Sequence, residues 1–260
     1  MKIFTDANIP HFPHAACGLT IGNFDGVHLG HVYLLNHLRA LLPPGAPIIA
    51  YTFSNHPSHA LSHLPPIPLI YTMEHKLKIL QEKGVDYTLL TTFTKEFAET
   101  PYDTFLRRLK EKIPFTKLVL GFGSRFGKNK EGTEEAMRAL SKQLDFHVAY
   151  LPKLQLDEQP FSSAHIRTLI ATAHFSQIER CLGRPYSVYA PLFCKQEHFH
   201  IATSGLCLPP SGTYSVSIAY ENQIYPASAH VDRHSEQIHI AFPTPLALPS
   251  PCFVELFFDF

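Results

Sequence analysis

His28 and His31 stand three residues apart in the stretch Leu19-Thr20-Ile21-Gly22-Asn23-Phe24-Asp25-Gly26-Val27-His28-Leu29-Gly30-His31. At that spacing both imidazoles project from one face of a helix start, toward whatever lies at its mouth. The apolar run breaks at Gly22 and Gly26, and Leu34, Leu35, Leu38, Leu41 and Leu42 then recur at helical spacing, so the segment reads strand, glycine turn, helix. The first N–H groups and positive dipole end of that helix favour an anion, and the glycines let the backbone approach it without a Cβ in the way. Two histidines at a bound phosphate point to phosphoryl or nucleotidyl transfer.

The elements that must position this turn alternate in period up to about Pro185. Ile48–Phe53 reads as a buried strand. Thr72 reads as the cap of a helix that carries Glu74 in its first turn and ends at Gly84. Val85–Leu90 follows as a strand. Thr100-Pro101-Tyr102-Asp103 opens a helix, with Thr100 as cap and Pro101 at its first position, that buries Phe105, Leu106, Leu109 and Ile113. Strand Lys117–Leu120, a helix from about Glu134 to Leu144 after Thr133, and strand Phe146–Tyr150 continue the alternation. Strands alternating with helices imply a parallel sheet covered on both faces, with ligands beyond the carboxyl ends of the strands.

Composition narrows the partners. Lys plus Arg and Asp plus Glu are equal at 22 each, so no basic footprint calls for nucleic acid or an anionic membrane surface. No apolar run is long enough for a membrane span, and Met1–Asp6 lacks a signal-peptide core. Five widely spaced cysteines, with no Cys-x-x-Cys pair, are the usage of a reduced cytoplasmic protein. Of seventeen histidines, His56, His59 and His63 form the densest run, but Pro57 and Pro65-Pro66 leave room for only about two helical turns, and no metal site is assigned there.

The string Gly-Asn-Phe-Asp-Gly-Val-His-Leu-Gly-His at residues 22–31 resembles the bacterial FAD synthetases, which join an FMN adenylyltransferase domain to a riboflavin kinase domain. The resemblance implies an α/β fold: a Rossmann-like nucleotidyltransferase parallel sheet over residues 1–185, and a smaller antiparallel β-barrel-like domain over 186–260. It also implies His28 and His31 as the catalytic pair, donating hydrogen bonds to phosphate oxygens in a protonated or donor form. Gly22, Asn23, Phe24, Asp25 and Gly30 would lie against ATP. Thr52-Phe53-Ser54-Asn55-His56-Pro57 is similar to the family's Thr-Phe-Asp-Pro-His-Pro flavin loop, with Phe53, His56 and Pro57 kept. Gly121–Gly132 is similar to its Gly-x-Asp-Phe-Arg-Phe-Gly-Lys flap, with Arg125 and Phe126 kept and Gly123 and Ser124 changed. Phe161–Arg167 is similar to its Ile-Ser-Ser-Thr-x-Ile-Arg loop, whose Ser162, Ser163 and Arg167 would serve the triphosphate and leaving pyrophosphate, with Ala164 and His165 as departures.

Past Leu-Gly-Arg-Pro-Tyr-Ser at 182–187, a string the family carries at its domain junction, short β-forming runs appear at Gly212–Tyr220, Ile238–Phe242 and Cys252–Phe258, with a turn at Glu221-Asn222-Gln223. Position and composition resemble the riboflavin kinase barrel, yet Val188–Leu208 holds no glycine-rich segment ending in Pro-Thr-Ala-Asn, and Glu255 reads as a strand residue rather than a base. The expectation is therefore an FMN adenylyltransferase using ATP, Mg²⁺ and FMN to give FAD, without kinase activity, with FMN and ATP as small-molecule partners and neither nucleic acid nor membrane. Two alternatives stay open at this point: a degenerate flavin- or nucleotide-binding protein, and nucleotidyl transfer to another phosphorylated acceptor.

Overall fold

The computed structural model describes residues 1–5, 8–9, 12, 16–61, 65–156, 159–195, 198–246 and 248–259. His63 of the histidine run, and Gln196 and Glu197 of the motif-free stretch, lie outside the described residues. The first half runs β1 (Lys2–Thr5), β2 (Cys17–Ile21), α1 (Leu29–Ala40), β3 (Ile48–Phe53), α2 (Ser58–Leu61), α3 (Met73–Glu82), β4 (Tyr87–Thr91), α4 (Lys95–Ala98), α5 (Tyr102–Lys112) and β5 (Phe115–Gly121). Then come α6 (Glu134–Gln143), β6 (His147–Leu151), β7 (Gln155–Leu156), β8 (Gln159–Pro160), α7 (Ser163–Ala171) and α8 (Phe175–Leu182). Six strands close the chain: β9 (Ser187–Lys195), β10 (His198–Ala202), β11 (Gly212–Tyr220), β12 (Gln223–Asp232), β13 (Gln237–Ala241) and β14 (Cys252–Phe258).

The chain divides into two compact units. The sheet unit holds Met1–Phe24, Gly30–Ile67 and Ile79–Gln155; the barrel unit holds Asp25–Leu29, Pro68–Lys78 and Leu156–Phe260. In the sheet unit six parallel strands lie in the order β1-β4-β3-β2-β5-β6. All six residues of β3 are buried, as a strand covered on both faces requires. Helix α5 lays Leu106 and Leu109 into the core beside Leu118, Met137 and Leu140, and each such side chain contributes about 1.5–3 kcal/mol by leaving water. From β2 the chain steps to β3 and β4 on one side, and β5 and β6 fill the other. The order thus reverses between β2 and β5, the place where sheets of this kind open a crevice.

Thr133 caps α6 by accepting from the Ala136 N–H at 3.3 Å, and Thr72 does the same for α3 from the His75 N–H at 3.1 Å. The expected Thr100 cap of α5 is a correction. Pro101 occupies the cap position and has no side-chain acceptor, and the Thr100 carbonyl accepts from the Lys128 N–H at 2.9 Å, tying the chain to the loop after β5. Strands β1, β7, β8, β9, β10 and β12 and helix α4 went unread in the sequence.

In the barrel unit β10-β13-β12-β11-β14-β9 close on themselves, antiparallel throughout. Alternate residues face in, and Val188, Leu192, Val216, Ile218, Val231, Ile238, Val254 and Leu256 fill the interior. Among the described residues, no helix is long and apolar enough to cross a membrane.

Candidate functional site

The glycine turn that follows β2 is conformationally expensive. Phe24 (φ 51°), Gly26 (φ 80°) and Val27 (φ 37°) all lie at positive φ, a region a β-branched residue such as Val27 enters only under constraint. A Cβ on Gly26 would also come within 2.9 Å of Ile70. The constraint is a set of side-chain donors on the turn's carbonyls. In the sheet unit Thr52 donates to the Asn23 carbonyl at 3.1 Å. In the barrel unit Ser163 donates to the Asp25 carbonyl at 2.8 Å, and Arg184 donates to those of Gly26 at 2.6 Å and Val27 at 3.0 Å. Because the peptide is planar and trans, fixing a carbonyl fixes the next N–H in the opposite direction. Within the barrel unit the carbonyls of Asp25, Gly26 and Val27 are each held by a side-chain donor.

Charge in the barrel unit gathers around Asp25. Its carboxylate accepts from the Ile70 N–H at 2.9 Å and from Arg167 at 2.8 Å, and the side chains of this ion pair are 4% and 14% exposed. Lys76 is buried too; burial brings it down to about 8, against the pull of Asp25. Arg184 lies over the Tyr71 ring, 5.2 Å from its centre, and Tyr71 is raised to about 12 by burial. One carboxylate thus faces more than one cation. His28, also buried, is lowered to about 4 by burial and, secondarily, by Arg184. Of the two forms expected for His28, protonated or donor tautomer, this lowering favours the neutral donor tautomer, while Arg167, Lys76 and Arg184 supply positive charge in the barrel unit. His31 sits in the first turn of α1 beside Gly30, its ring 5.0 Å from that of Phe24.

The sheet unit holds a cavity of about 480 Å³ at the carboxyl ends of β2, β3 and β5. Ile21, Gly22 and Asn23 form one wall; Phe53, Phe93, Phe97, Phe105 and Phe126 make the others, with Ser124, Arg125, Asn129 and Lys130 among the polar lining. The rings pack edge to face, with centres 5.1 Å apart for Phe53 and Phe93, 5.7 Å for Phe97 and Phe105, and 6.1 Å for Phe105 and Phe126. A slot with aromatic walls and a few polar groups suits a flat heterocycle with a polar edge. Gly127 keeps the flap in place: it sits at φ 78°, and a Cβ there would come within 2.5 Å of the Tyr102 backbone nitrogen.

Of the residues singled out in the sequence, Gly22, Asn23, Phe53, Pro57, Arg125 and Phe126 line this cavity. His56 is not among its walls. The Ser58 N–H donates to His56 Nδ1 at 3.1 Å, so that nitrogen is the acceptor and the proton sits on Nε2. Ser162 caps α7 by accepting from the His165 N–H at 3.2 Å, while Ser163 and Arg167 reach the Asp25 carbonyl and carboxylate. The changed residue Asn55 braces the loop after β4, since its Oδ1 accepts from the Phe93 N–H at 2.7 Å and its Nδ2 donates to the Phe93 carbonyl at 2.9 Å. Sequence reasoning missed Lys76, Arg184, Phe93 and Phe97. A signal for Lys76 was present, since it falls on the inward stripe of α3 with Met73, Leu77 and Leu80.

A family model described as FAD synthetase matches residues 12–165. The chain is 29% identical to the FAD synthetase of Listeria monocytogenes, over 82% of this chain and 86% of that protein. It is 31% identical to the bifunctional riboflavin kinase/FMN adenylyltransferase of Haemophilus influenzae, over 66% of this chain but 57% of that enzyme. Against the bifunctional enzyme of Escherichia coli the figures are 29%, 70% and 58%, so the matches span little more than half the length of these two relatives. Among solved structures, a Streptococcus pneumoniae chain described as a macrolide-efflux protein shares the fold, with a TM-score of 0.84 at 20% identity over 99% of this chain and 90% of that one.

Proposed function

Because the chain belongs to the FAD synthetase family, we propose that it adenylylates FMN. An oxygen of the FMN phosphate bonds to the α-phosphorus of ATP, the bond from that phosphorus to the bridging oxygen breaks, and FAD and pyrophosphate leave. The observation that carries this reading is the aromatic cavity at the ends of β2, β3 and β5, which suits a flavin ring. The nucleophile is already an anion, so no general base is needed, and catalysis reduces to alignment and stabilisation of charge. His28 and His31 donate N–H groups to the phosphate oxygens. Burial favours the neutral imidazole as the donor form of His28. The cation surplus of Arg167, Lys76 and Arg184 suits a polyphosphate, with Arg167 acting through its hold on Asp25. The Mg²⁺ typical of the family would supply charge stabilisation at the nucleotide's phosphates when bound.

Residues 1–185 are read as the transferase and 186–260 as a barrel without kinase activity. Two observations favour this. The stretch expected to carry a kinase's nucleotide loop runs instead through the paired strands β9 and β10. Glu255 accepts from Lys78, from Ser187 at 2.8 Å and from His75 at 3.4 Å; burial raises it, but these donors outweigh burial and hold it down at about 2. A carboxylate so saturated is a poor base. Five free cysteines fit a reducing cytoplasmic setting. The test is product analysis with ATP and Mg²⁺, given FMN in one reaction and riboflavin in another. FAD from FMN is expected, with no FMN from riboflavin, and a His28→Ala/His31→Ala variant should lose at least about 10²-fold in rate. FMN made from riboflavin would overturn the kinase reading, and absence of FAD would overturn the transferase.

A further inference from the structure

The cavity of the sheet unit is polar at one end and apolar at the other. The flap after β5 supplies the polar end, where Ser124, Arg125, Asn129 and Lys130 line the space. Arg125 and Lys130 make no ion pair among the described residues, whereas Lys128 is held by Glu99 at 2.8 Å. The opposite end comes from the loops after β3 and β4 with α2 and α4, and presents Pro57, Leu61, Phe93, Phe97 and Ala98. Leu61 is 56% exposed, an aliphatic side chain left in water at the cavity's rim. Because β2 lies between β3 and β5 in the sheet, the wall of Ile21, Gly22 and Asn23 stands between the two ends.

Resting on the flavin reading above, we propose that this polarity fixes which way round the isoalloxazine ring enters: its pyrimidine edge meets the flap, and its dimethylbenzene edge meets Leu61 and Phe97. The ring carries the same asymmetry as the cavity. One end has two carbonyls and an N–H, and the other has two methyls and no hydrogen-bonding group. Arg125 and Lys130 are donors only, so they match the carbonyl oxygens, and the Ser124 hydroxyl can accept from the N–H. In the reverse pose the carbonyls would face Leu61, Phe93 and Phe97, with no donor to replace the water they give up. The ribityl chain starts from the middle of the ring and reaches the β2 wall in either pose. The two ends alone decide the orientation.

Both ends are set before a ligand arrives. On the flap the Lys128 N–H donates to the Thr100 carbonyl at 2.9 Å, and the Gly132 N–H donates to the Phe126 carbonyl at 2.9 Å. Asn129 and Lys130 are held at φ 54° and 58°, a region that side-chain-bearing residues seldom enter without such anchoring. Across the cavity Phe93 packs on Phe53 with ring centres 5.1 Å apart and on Phe97 at 5.4 Å. Two preorganised surfaces of opposite polarity discriminate between the poses without a closing movement.

The test compares FMN with its analogue lacking the two ring methyls, each bound to the full chain without ATP and followed by quenching of flavin fluorescence. Leu61→Ala should weaken FMN about fourfold, as for the loss of one buried methylene, and leave the analogue's affinity unchanged. Arg125→Met/Lys130→Met should weaken both flavins by at least about tenfold. All three side chains are exposed, so the variants should keep the unfolding midpoint. Equal weakening of both flavins by Leu61→Ala, a flap variant that separates the two, or variants that bind FMN as the wild type does would overturn the orientation and leave the flavin reading intact. A wild-type chain that binds neither flavin would instead remove that reading, and the orientation with it.

Discussion

Asp25 and Glu255 are both shielded carboxylates of the barrel unit, with side chains 4% and 14% exposed, yet their surroundings differ in charge balance. Glu255 has one cation, Lys78, and two neutral donors, Ser187 and His75; burial keeps His75 below the usual imidazole range despite its contact with the carboxylate. Charge is balanced there, and the strand register around Ser187 and Phe257 is what it secures. Asp25 has Arg167 in direct contact and Lys76 close by, with Arg184 on the adjoining turn carbonyls. Charge there is left in excess, and the backbone beside it is held at positive φ. A balanced cluster is complete without a ligand, whereas a cationic surplus beside fixed backbone donors is completed by an anion.

The sharpest way to break this contrast is to remove one cation from each cluster. Arg167→Met leaves the Asp25 carboxylate buried with the Ile70 N–H as its remaining direct donor, and should cost about 3–5 kcal/mol in unfolding by urea. Lys78→Met leaves Glu255 its bonds to Ser187 and His75, and Lys78 is itself 38% exposed, so a loss of about 1 kcal/mol is expected. Equal losses would mean that the two carboxylates differ only in place.

Much of the sheet unit was legible because its signals are local. Thr72 caps as its sequence promises, and β2, β3 and β5 lead into the glycine turn, the loop at 52–57 and the loop at 121–132. The barrel was legible only in outline. Pro191 and Pro226 sit inside β9 and β12 as ordinary register positions, opposite Phe253 and Ser217, and a proline in a strand masks the alternation that would reveal it. The braces of the glycine turn were invisible for another reason. Arg184 and Ser163 reach carbonyls more than a hundred residues away in sequence, and no local pattern encodes such a bond.

Lowering the pH probes the two regions in turn. His28 titrates at about 4 when folded, against a reference near 6.5, so the unfolded chain takes up that proton first. His28 should therefore lower stability as pH falls from about 6.5 to about 4, by roughly 3 kcal/mol, with buried His75 adding to the same limb. Glu255 is held at about 2 against a reference of 4.5, so its contribution is complete above 4.5 and is lost only as pH falls from there toward about 2. His28→Asn should flatten the upper limb of a stability profile and Glu255→Gln the lower, both read from urea midpoints in buffers spanning the two windows. A single limb that moves with neither variant would place the acid sensitivity elsewhere.

The smallest expected effect concerns the cavity wall. Asn55 departs from the proline that the resembling family carries in this loop, yet it makes two bonds to the Phe93 backbone and so fixes the ring that packs on Phe53. Asn55→Ala removes both bonds without touching a charge. Each neutral bond contributes about 1 kcal/mol, so a loosened wall should raise the KM for FMN by roughly five- to tenfold. The kcat should hold, because nothing in this loop faces the reacting phosphates in the proposed mechanism. A fall in kcat at unchanged KM would instead put the β3 loop in control of phosphate alignment, and the division of labour between an aromatic cavity that holds the flavin and a charged turn that handles phosphate would fail at that point.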